Sequence, residues 1–375
     1  MDSFFDNFVP DGFYIGKTAE DIEIYREECL SRLKFVFGKV DFPFNTKQDH
    51  IDRRSEFISG IPGSKFSTSG SSGSPFEFNI YQNDARGASY SEKKIFDIYG
   101  VDKNAFLLYV VPHRTLEYDY YYPRDVYGIK SVVMRDTYVD IFVKENKKLM
   151  DEKSVVLMAG NSILKKIMDK KIYINPYLCI SVLERCLDAD LLSSFFNCRV
   201  LDRIRCLDGS LSVWQCPYGV YHVDFEFCDI KSDDQKRLIL TDYTNCSEAF
   251  INYHNGDYGV VSDSNNCSCG TLGKTLIDFL GRETESIYLD GKIIYGMEIY
   301  NTLFPNLAFS DSVLVQKSNG EIIFYIYGGC EEDESEARKR LSFLFGNKYK
   351  VVRCGEEVFN KYTSKNKKKR IFRES

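Results

Sequence analysis

A chain of 375 residues, 43% of them hydrophobic, is long enough to bury a large core in one or two domains. Its 49 basic and 55 acidic residues leave a formal charge of −6, which gives no reason to expect nucleic acid or an anionic membrane as a partner. No stretch approaches the roughly 20 apolar residues of a spanning helix, and the start Met1-Asp2-Ser3-Phe4-Phe5-Asp6 lacks the basic and apolar regions of a signal peptide. The expected location is therefore cytoplasmic, and the twelve cysteines read as reduced thiols or metal ligands.

In chain order, residues 20–37 carry apolar positions at helical spacing. Residues 63–75, Gly63 to Pro75, are so rich in Gly and Ser that a loop is expected throughout. Apolar runs then alternate with helical stretches. Ala105 to Val111 and Ser154 to Met158 read as buried strands, Asn161 to Lys170 and Cys179 to Phe196 as helices, with a strand end before the latter as an alternative. That alternation argues for an α/β fold with helix-covered sheets. After residue 210 strands are expected over Gly219 to Ile230, Arg237 to Thr241 and Gly256 to Val261, with Asn255-Gly256 as a hairpin signal. The last ninety or so residues read as a small α+β unit: a hairpin of 312–316 and 321–327, a helix over 331–345 and a strand over 349–353.

Several segments carry chemistry. Ser67-Thr68-Ser69-Gly70-Ser71-Ser72-Gly73-Ser74-Pro75 interleaves hydroxyls with Gly, so that its hydroxyl and amide groups could wrap phosphate oxygens. A flexible Gly/Ser linker is the structural alternative. No Gly-Lys-Ser/Thr follows, so it is not the P-loop of NTPases. Cys216, His222, Cys267 and Cys269 offer three thiolates and one imidazole, a set suited to tetrahedral structural Zn²⁺. Their spacing is not that of a common zinc finger, and four unrelated residues are the alternative.

The Ser67–Pro75 stretch resembles the Ser/Thr-Ser-Gly-Thr-Thr-Gly-x-Pro phosphate loop of the adenylate-forming superfamily, with Ser74 as in its phenylacetate–CoA ligase branch. Further segments resemble that family in the same order. Asn252-Tyr253-His254-Asn255-Gly256-Asp257 stands where the family has Arg-Tyr-x-Thr-Gly-Asp, which implies that Asp257 binds the ribose; Asn252 and Asn255 depart from the pattern. Gly281-Arg282-Glu283-Thr284-Glu285 resembles the Gly-Arg-x-x-Asp hinge, and Leu289 to Ile294 the hairpin after it. Arg205-Cys206-Leu207-Asp208-Gly209 falls where the family has Tyr-Gly-x-Thr/Ser-Glu-Gly, so Asp208 would hold Mg²⁺, although the Tyr and Thr are absent. Ser181-Val182-Leu183-Glu184 resembles the adenine-pocket segment, and Met158-Ala159-Gly160-Asn161-Ser162 a turn of the same branch. Some members of the branch hold zinc near the positions of Cys216, His222, Cys267 and Cys269.

The C-terminal run Lys365-Asn366-Lys367-Lys368-Lys369-Arg370-Ile371 resembles the family's Gly-Lys-x-x-x-Val/Ile, with Lys367 as the mobile lysine; Lys365 and Lys368 are alternatives, and a solvated basic tail is the plain reading. The resemblance spans about residue 60 to the end, with a shortened N-terminal part. It implies a large AMP-binding domain over 1–281, with helix-covered sheets and a β-rich subdomain, and a small mobile domain over 282–375. It also implies a ligase that uses ATP and Mg²⁺ to make an acyl-adenylate from a small carboxylic acid, then transfers the acyl group to a thiol of coenzyme A or a carrier protein. An acyl-protein synthetase like that of bacterial luminescence, and a nucleotide-binding relative without turnover, are the competing expectations. The oligomeric state stays open, a dimer included.

Overall fold

The structure, a computed structural model, describes residues 18–67, 76–81, 84–112, 116–122, 129–182, 185–186, 188–263, 267–305, 307–364, 367–368 and 370–374. Its centre is a ten-stranded sheet. Five strands form the parallel heart in the order Arg199–Arg205, Leu178–Ser181, Val155–Ala159, Phe106–Val111 and Lys130–Arg135. The runs Phe-Leu-Leu-Tyr-Val-Val and Val-Val-Leu-Met-Ala are apolar at successive positions because both faces of these strands are covered. Leu108, Val110 and Leu157 pack into one core with Phe142 and Phe196, while their neighbours Leu107 and Val156 pack into another with Ile180 and Trp214. That division follows from the twofold alternation of side chains along a strand.

Beyond Arg205 the sheet turns antiparallel, through Ser212–Gln215, Tyr221–Val223 and Thr275–Arg282 to Asp257–Ser262. A second sheet of four strands packs beside it in the order Asn45–Thr46, Ile251–His254, Leu238–Asp242 and Cys228–Ser232. The helix Asp84–Tyr99 is pinned to this region by Lys94, fully buried, whose ammonium lies 2.9 Å from Asp224 and 2.7 Å from Glu226.

After Arg282 comes a small α+β part. Its four-stranded sheet runs Tyr349–Arg353, Ile322–Tyr327, Asp311–Gln316 and Ile371–Arg373, covered by the helices Gly296–Leu303 and Glu331–Phe345. The hairpin, helix and strand expected here are present. So is the hairpin Ile287–Leu289/Lys292–Ile294, whose turn places Asp290 and Gly291 at φ of 51° and 74°. Residues 371–374 are not a solvated tail: Ile371 is fully buried and pairs with Leu314, and Glu374 meets Lys317 at 2.7 Å.

Four expectations are corrected. Residues 64–67 are a strand, Ser64–Ser67, because Glu77–Ile80 supplies its hydrogen-bonding partner. The segment starting at Cys179 opens as a buried strand, Leu178–Ser181, and the helix begins only at Ala189. A short apolar run has no period of its own, and its neighbours on both sides make it a central strand. Gly219 to Ile230 is two strands, split by a turn in which the N–H groups of Phe227 and Cys228 donate to the Asp224 carbonyl. Asn255-Gly256 does not close a hairpin: Ile251–His254 belongs to the four-stranded sheet and Asp257–Ser262 to the ten-stranded one. Among the described residues, no helix is long and apolar enough to cross a membrane.

Candidate functional site

The switch between sheets at Asn255-Gly256 delivers Asp257 to the start of an edge strand. There it is the register partner of Arg282, the last residue of Thr275–Arg282. Arg282 Nε lies 3.4 Å from Asp257 Oδ1. The adjoining carboxylate holds the guanidinium's pKa above its ordinary value, against the opposing effect of burial. The other carboxylate oxygen, Oδ2, accepts from Asn255 Nδ2 at 2.8 Å and from the Cys206 thiol at 3.4 Å. Asp257 is buried, and among the described residues its Oδ1, the Arg282 ion pair aside, accepts no hydrogen bond. A buried carboxylate oxygen without a donor is costly, and two vicinal hydroxyls could supply one.

Asp208 stands two residues beyond Cys206, in the turn that joins Arg199–Arg205 to Ser212–Gln215. Tyr253, fully buried, donates its hydroxyl to Asp208 Oδ2 at 3.1 Å. Burial raises the Asp208 carboxyl to about 6, against the lowering effect of Arg282. Four segments far apart in sequence thus meet here: 206–208, 253–257, 282 and, from the N-terminal side, Lys47. The Lys47 ammonium lies 5.5 Å over the ring of Phe76, and within electrostatic reach of Asp208 and Arg282; burial lowers its pKa.

Sequence reasoning missed Lys47, Cys206 and Tyr253. Lys47 sits in a polar stretch before the expected loop, and only the parallel pairing of Asn45–Thr46 with Tyr253–His254 brings it in. Asn252, in the place of the family arginine, adopts a left-handed φ of 57° and donates its side-chain amide to the Phe42 carbonyl. Ser67 is exposed at the end of its strand, opposite Glu77. Thr68, Ser69, Gly70, Ser71, Ser72, Gly73 and Glu184 lie outside the described residues. Lys367 lies on a two-residue strand paired with Ser364, and its side chain lies outside the described residues.

The four expected metal ligands come together. The donor atoms of Cys216, His222, Cys267 and Cys269 all lie within 4.8 Å of one another. Cys216 Sγ is 3.5 Å from Cys267 Sγ, and Cys269 Sγ is 3.2 Å from His222 Nε2. Backbone N–H groups of Tyr218 and Thr271 point at the sulfurs of Cys216 and Cys269. Cys216 and His222 flank the turn of one antiparallel hairpin, Cys216 just after its first strand and His222 on its second opposite Trp214, and Cys267 and Cys269 lie on the loop that leads into Thr275–Arg282. Burial lowers the His222 pKa to about 4, which leaves a neutral imidazole, and raises that of Cys216 to about 12. A bound cation would displace the thiol protons. Three thiols and an imidazole at this separation fit a tetrahedral Zn²⁺, with every position filled by protein.

The chain has the fold of adenylate-forming CoA ligases. No protein-family sequence profile matches it, and no curated protein matches it in sequence, so the likeness lies in three dimensions. 2-Hydroxyisobutyryl-CoA ligase, in the postadenylation state in complex with R3-HIB-AMP, superposes with a TM-score of 0.67 at 13% identity, over 98% of this chain and 94% of that one. The same ligase in its thioesterification state, with 2-HIB-AMP and CoA, covers the same shares at a TM-score of 0.52. ATP-bound MatB from Rhodopseudomonas palustris matches with a TM-score of 0.53 at 12% identity, over 83% of this chain and 69% of that one. The anthranilate CoA ligase AuaEII in complex with anthranoyl-AMP gives 0.54 at 11%, over 77% and 63%.

Proposed function

We propose that this chain is an AMP-forming ligase of the phenylacetate–CoA ligase-like branch, which activates a small carboxylic acid with ATP and passes the acyl group to a thiol of coenzyme A or a carrier protein. The observation that carries this reading is the meeting of Asp257, Arg282 and Asp208 at one site, in a fold shared with ligases whose structures hold acyl-adenylates. The substrate carboxylate attacks the α-phosphorus of ATP, and pyrophosphate leaves. The thiol then attacks the acyl carbonyl, and AMP leaves. In the first step nothing on the protein forms a bond, so catalysis rests on positioning and on neutralising charge.

In this reading Asp257 binds the ribose hydroxyls, and Arg282 both orients that carboxylate and faces the nucleotide. Ser67, with the hydroxyl- and glycine-rich residues 68–73, and Lys47 serve the phosphates. Asp208 holds Mg²⁺ once ionised; an Asp in place of the family Glu still offers a hard oxygen. Mg²⁺ would supply charge neutralisation at the phosphates. Lys367 bridges the carboxylate and the α-phosphate. The small domain begins at Arg282 and rotates about residues 282–285 for the second step. Contacts across the boundary, such as the Tyr295 hydroxyl donating to the Gln235 carbonyl at 3.4 Å, would break in that motion. The cysteine–histidine cluster holds a structural Zn²⁺ that braces the loop before Thr275–Arg282.

The test is ATP–pyrophosphate exchange with purified protein against a panel of aromatic, aliphatic and amino acids. Exchange with one member is the expected result. Tight ATP binding with no exchange for any acid would instead favour a binding protein without turnover.

A further inference from the structure

One buried network next to the site is not used by the reading above. His50 is fully buried, three residues along the short helix from Lys47. Its ring is sandwiched between Phe57 and Phe250, with centroids at 3.9 and 4.9 Å, and meets the edges of Phe76 at 6.0 Å and Tyr253 at 5.1 Å. Asn45 turns its amide nitrogen to the carbonyls of Pro43 and Ile251, at 2.9 and 2.8 Å. Its oxygen therefore faces His50 Nε2 at 3.1 Å, and that nitrogen donates. His50 Nδ1 meets Glu248 Oε1 at 3.0 Å. The second oxygen of Glu248, also fully buried, accepts from the Asn79 backbone N–H at 2.8 Å and faces Arg54 Nη2 at 3.5 Å. Asn245 grips the same strand, donating to the Asn79 carbonyl at 2.8 Å and accepting from Tyr81 N–H at 3.1 Å.

A hydrophobic aromatic cluster would fill this space at lower cost than a buried imidazole and carboxylate. What these polar groups add is direction. They tie three separate pieces to one another: the helix that bears Lys47, the strand Glu77–Ile80, and the segment Glu248–Tyr253 that ends on the hydroxyl holding Asp208. We infer that the His50–Glu248 pair is the positioning element that sets Lys47 and Asp208 against the polyphosphate of ATP. This deepens the nucleotide reading and rests on it. Neither residue touches the ligand; they act through the Lys47 helix and through Tyr253.

Binding of Mg²⁺–ATP and of adenosine by the full chain separates this role from plain support of the fold, because only ATP reaches Lys47 and Asp208. In Glu248→Ala the Kd for Mg²⁺–ATP should rise tenfold or more, while that for adenosine changes less than twofold. Glu248→Gln, which keeps an acceptor for Asn79, should recover most of the loss. If Glu248→Ala does not fold, Asn245→Ala, which releases the same strand without stranding a charge, should show the same ATP-selective loss on a smaller scale. Equal weakening of both ligands, or no weakening of either, overturns the inference and leaves the proposed function standing. A parent protein that binds neither ligand overturns the proposed function, and the inference with it.

Discussion

Asp257 and Arg282 face one another as register partners on adjacent antiparallel strands, with Nε 3.4 Å from Oδ1, although 24 intervening residues separate them in the chain. In the proposed reading this pairing joins the carboxylate that binds the ribose to the residue at which the small domain begins, so nucleotide binding and domain position would share one ion pair.

Asp257→Ala removes that carboxylate. Loss of a charged hydrogen-bonding partner costs about 1.5–3 kcal/mol, or about 10- to 100-fold in Kd. Titration calorimetry with ATP and with adenosine should show the loss for both ligands, because both carry the ribose. Unchanged affinity for adenosine would remove Asp257 from the ribose role.

Asp208 yields a pH prediction for the ligand-free chain. Burial raises its carboxyl from 3.8 to about 6, so between those values the folded state binds more protons than the unfolded state. Stability then falls as pH rises through that window, and the cost is fully present above about pH 6. Its size is on the order of 1–3 kcal/mol. Asp208→Asn should raise the Tm at pH 7.5 and change it little at pH 4; a gain confined to low pH would contradict the burial effect. The same variant should weaken Mg²⁺-dependent ATP binding.

Elemental analysis should find close to one zinc per chain, as expected of a fully protein-ligated tetrahedral site. Cys267→Ser should lower the content well below that, and chelation of the parent should lower its Tm. Less than about one tenth of a zinc per chain would remove zinc from the cluster.

Lys367→Ala separates the two half-reactions. Pyrophosphate exchange should fall by 100-fold or more, about 3 kcal/mol of transition-state stabilisation, while thioester formation from supplied acyl-adenylate stays near the parental rate. Exchange at the parental rate would move the role to Lys365 or Lys368.

Lys94 tests the buried charges beneath the cluster. Asp224 accepts from Ser91, Ser212 and Trp214 as well as from Lys94. Lys94→Ala leaves Asp224 and Glu226 without their cation, and urea unfolding should show a loss of about 3–5 kcal/mol. Lys94→Met with Glu226→Gln should recover part of it.

Local signals were read well where neighbouring residues decide the outcome. The helix Glu331–Phe345 and the strand Tyr349–Arg353 carry their own period and boundaries, and both fall where expected. The four candidate metal ligands were legible as a set because three thiols and an imidazole suit a tetrahedral cation and some members of the resembled branch hold zinc near those positions. Cys179 misled because a four-residue apolar strand and a helical turn look alike until the strands on either side are known. Asn255-Gly256 misled for a related reason: its residues favour a tight turn, and only sheet membership decides whether the flanking strands pair.

The sequence by itself determined the residue chemistry: a buried α/β core, a hydroxyl-rich segment, a thiol–imidazole set, and the order of Asp208, Asp257 and Arg282. Those are properties of side chains and of short-range periodicity. Only the tertiary structure decided which of these groups meet. Strand register placed Asp257 against Arg282, and a parallel pair of two residues brought Lys47 and His50 to the site from about 200 positions away. Register and sheet order arise from the simultaneous burial of many strands, so no local pattern encodes them.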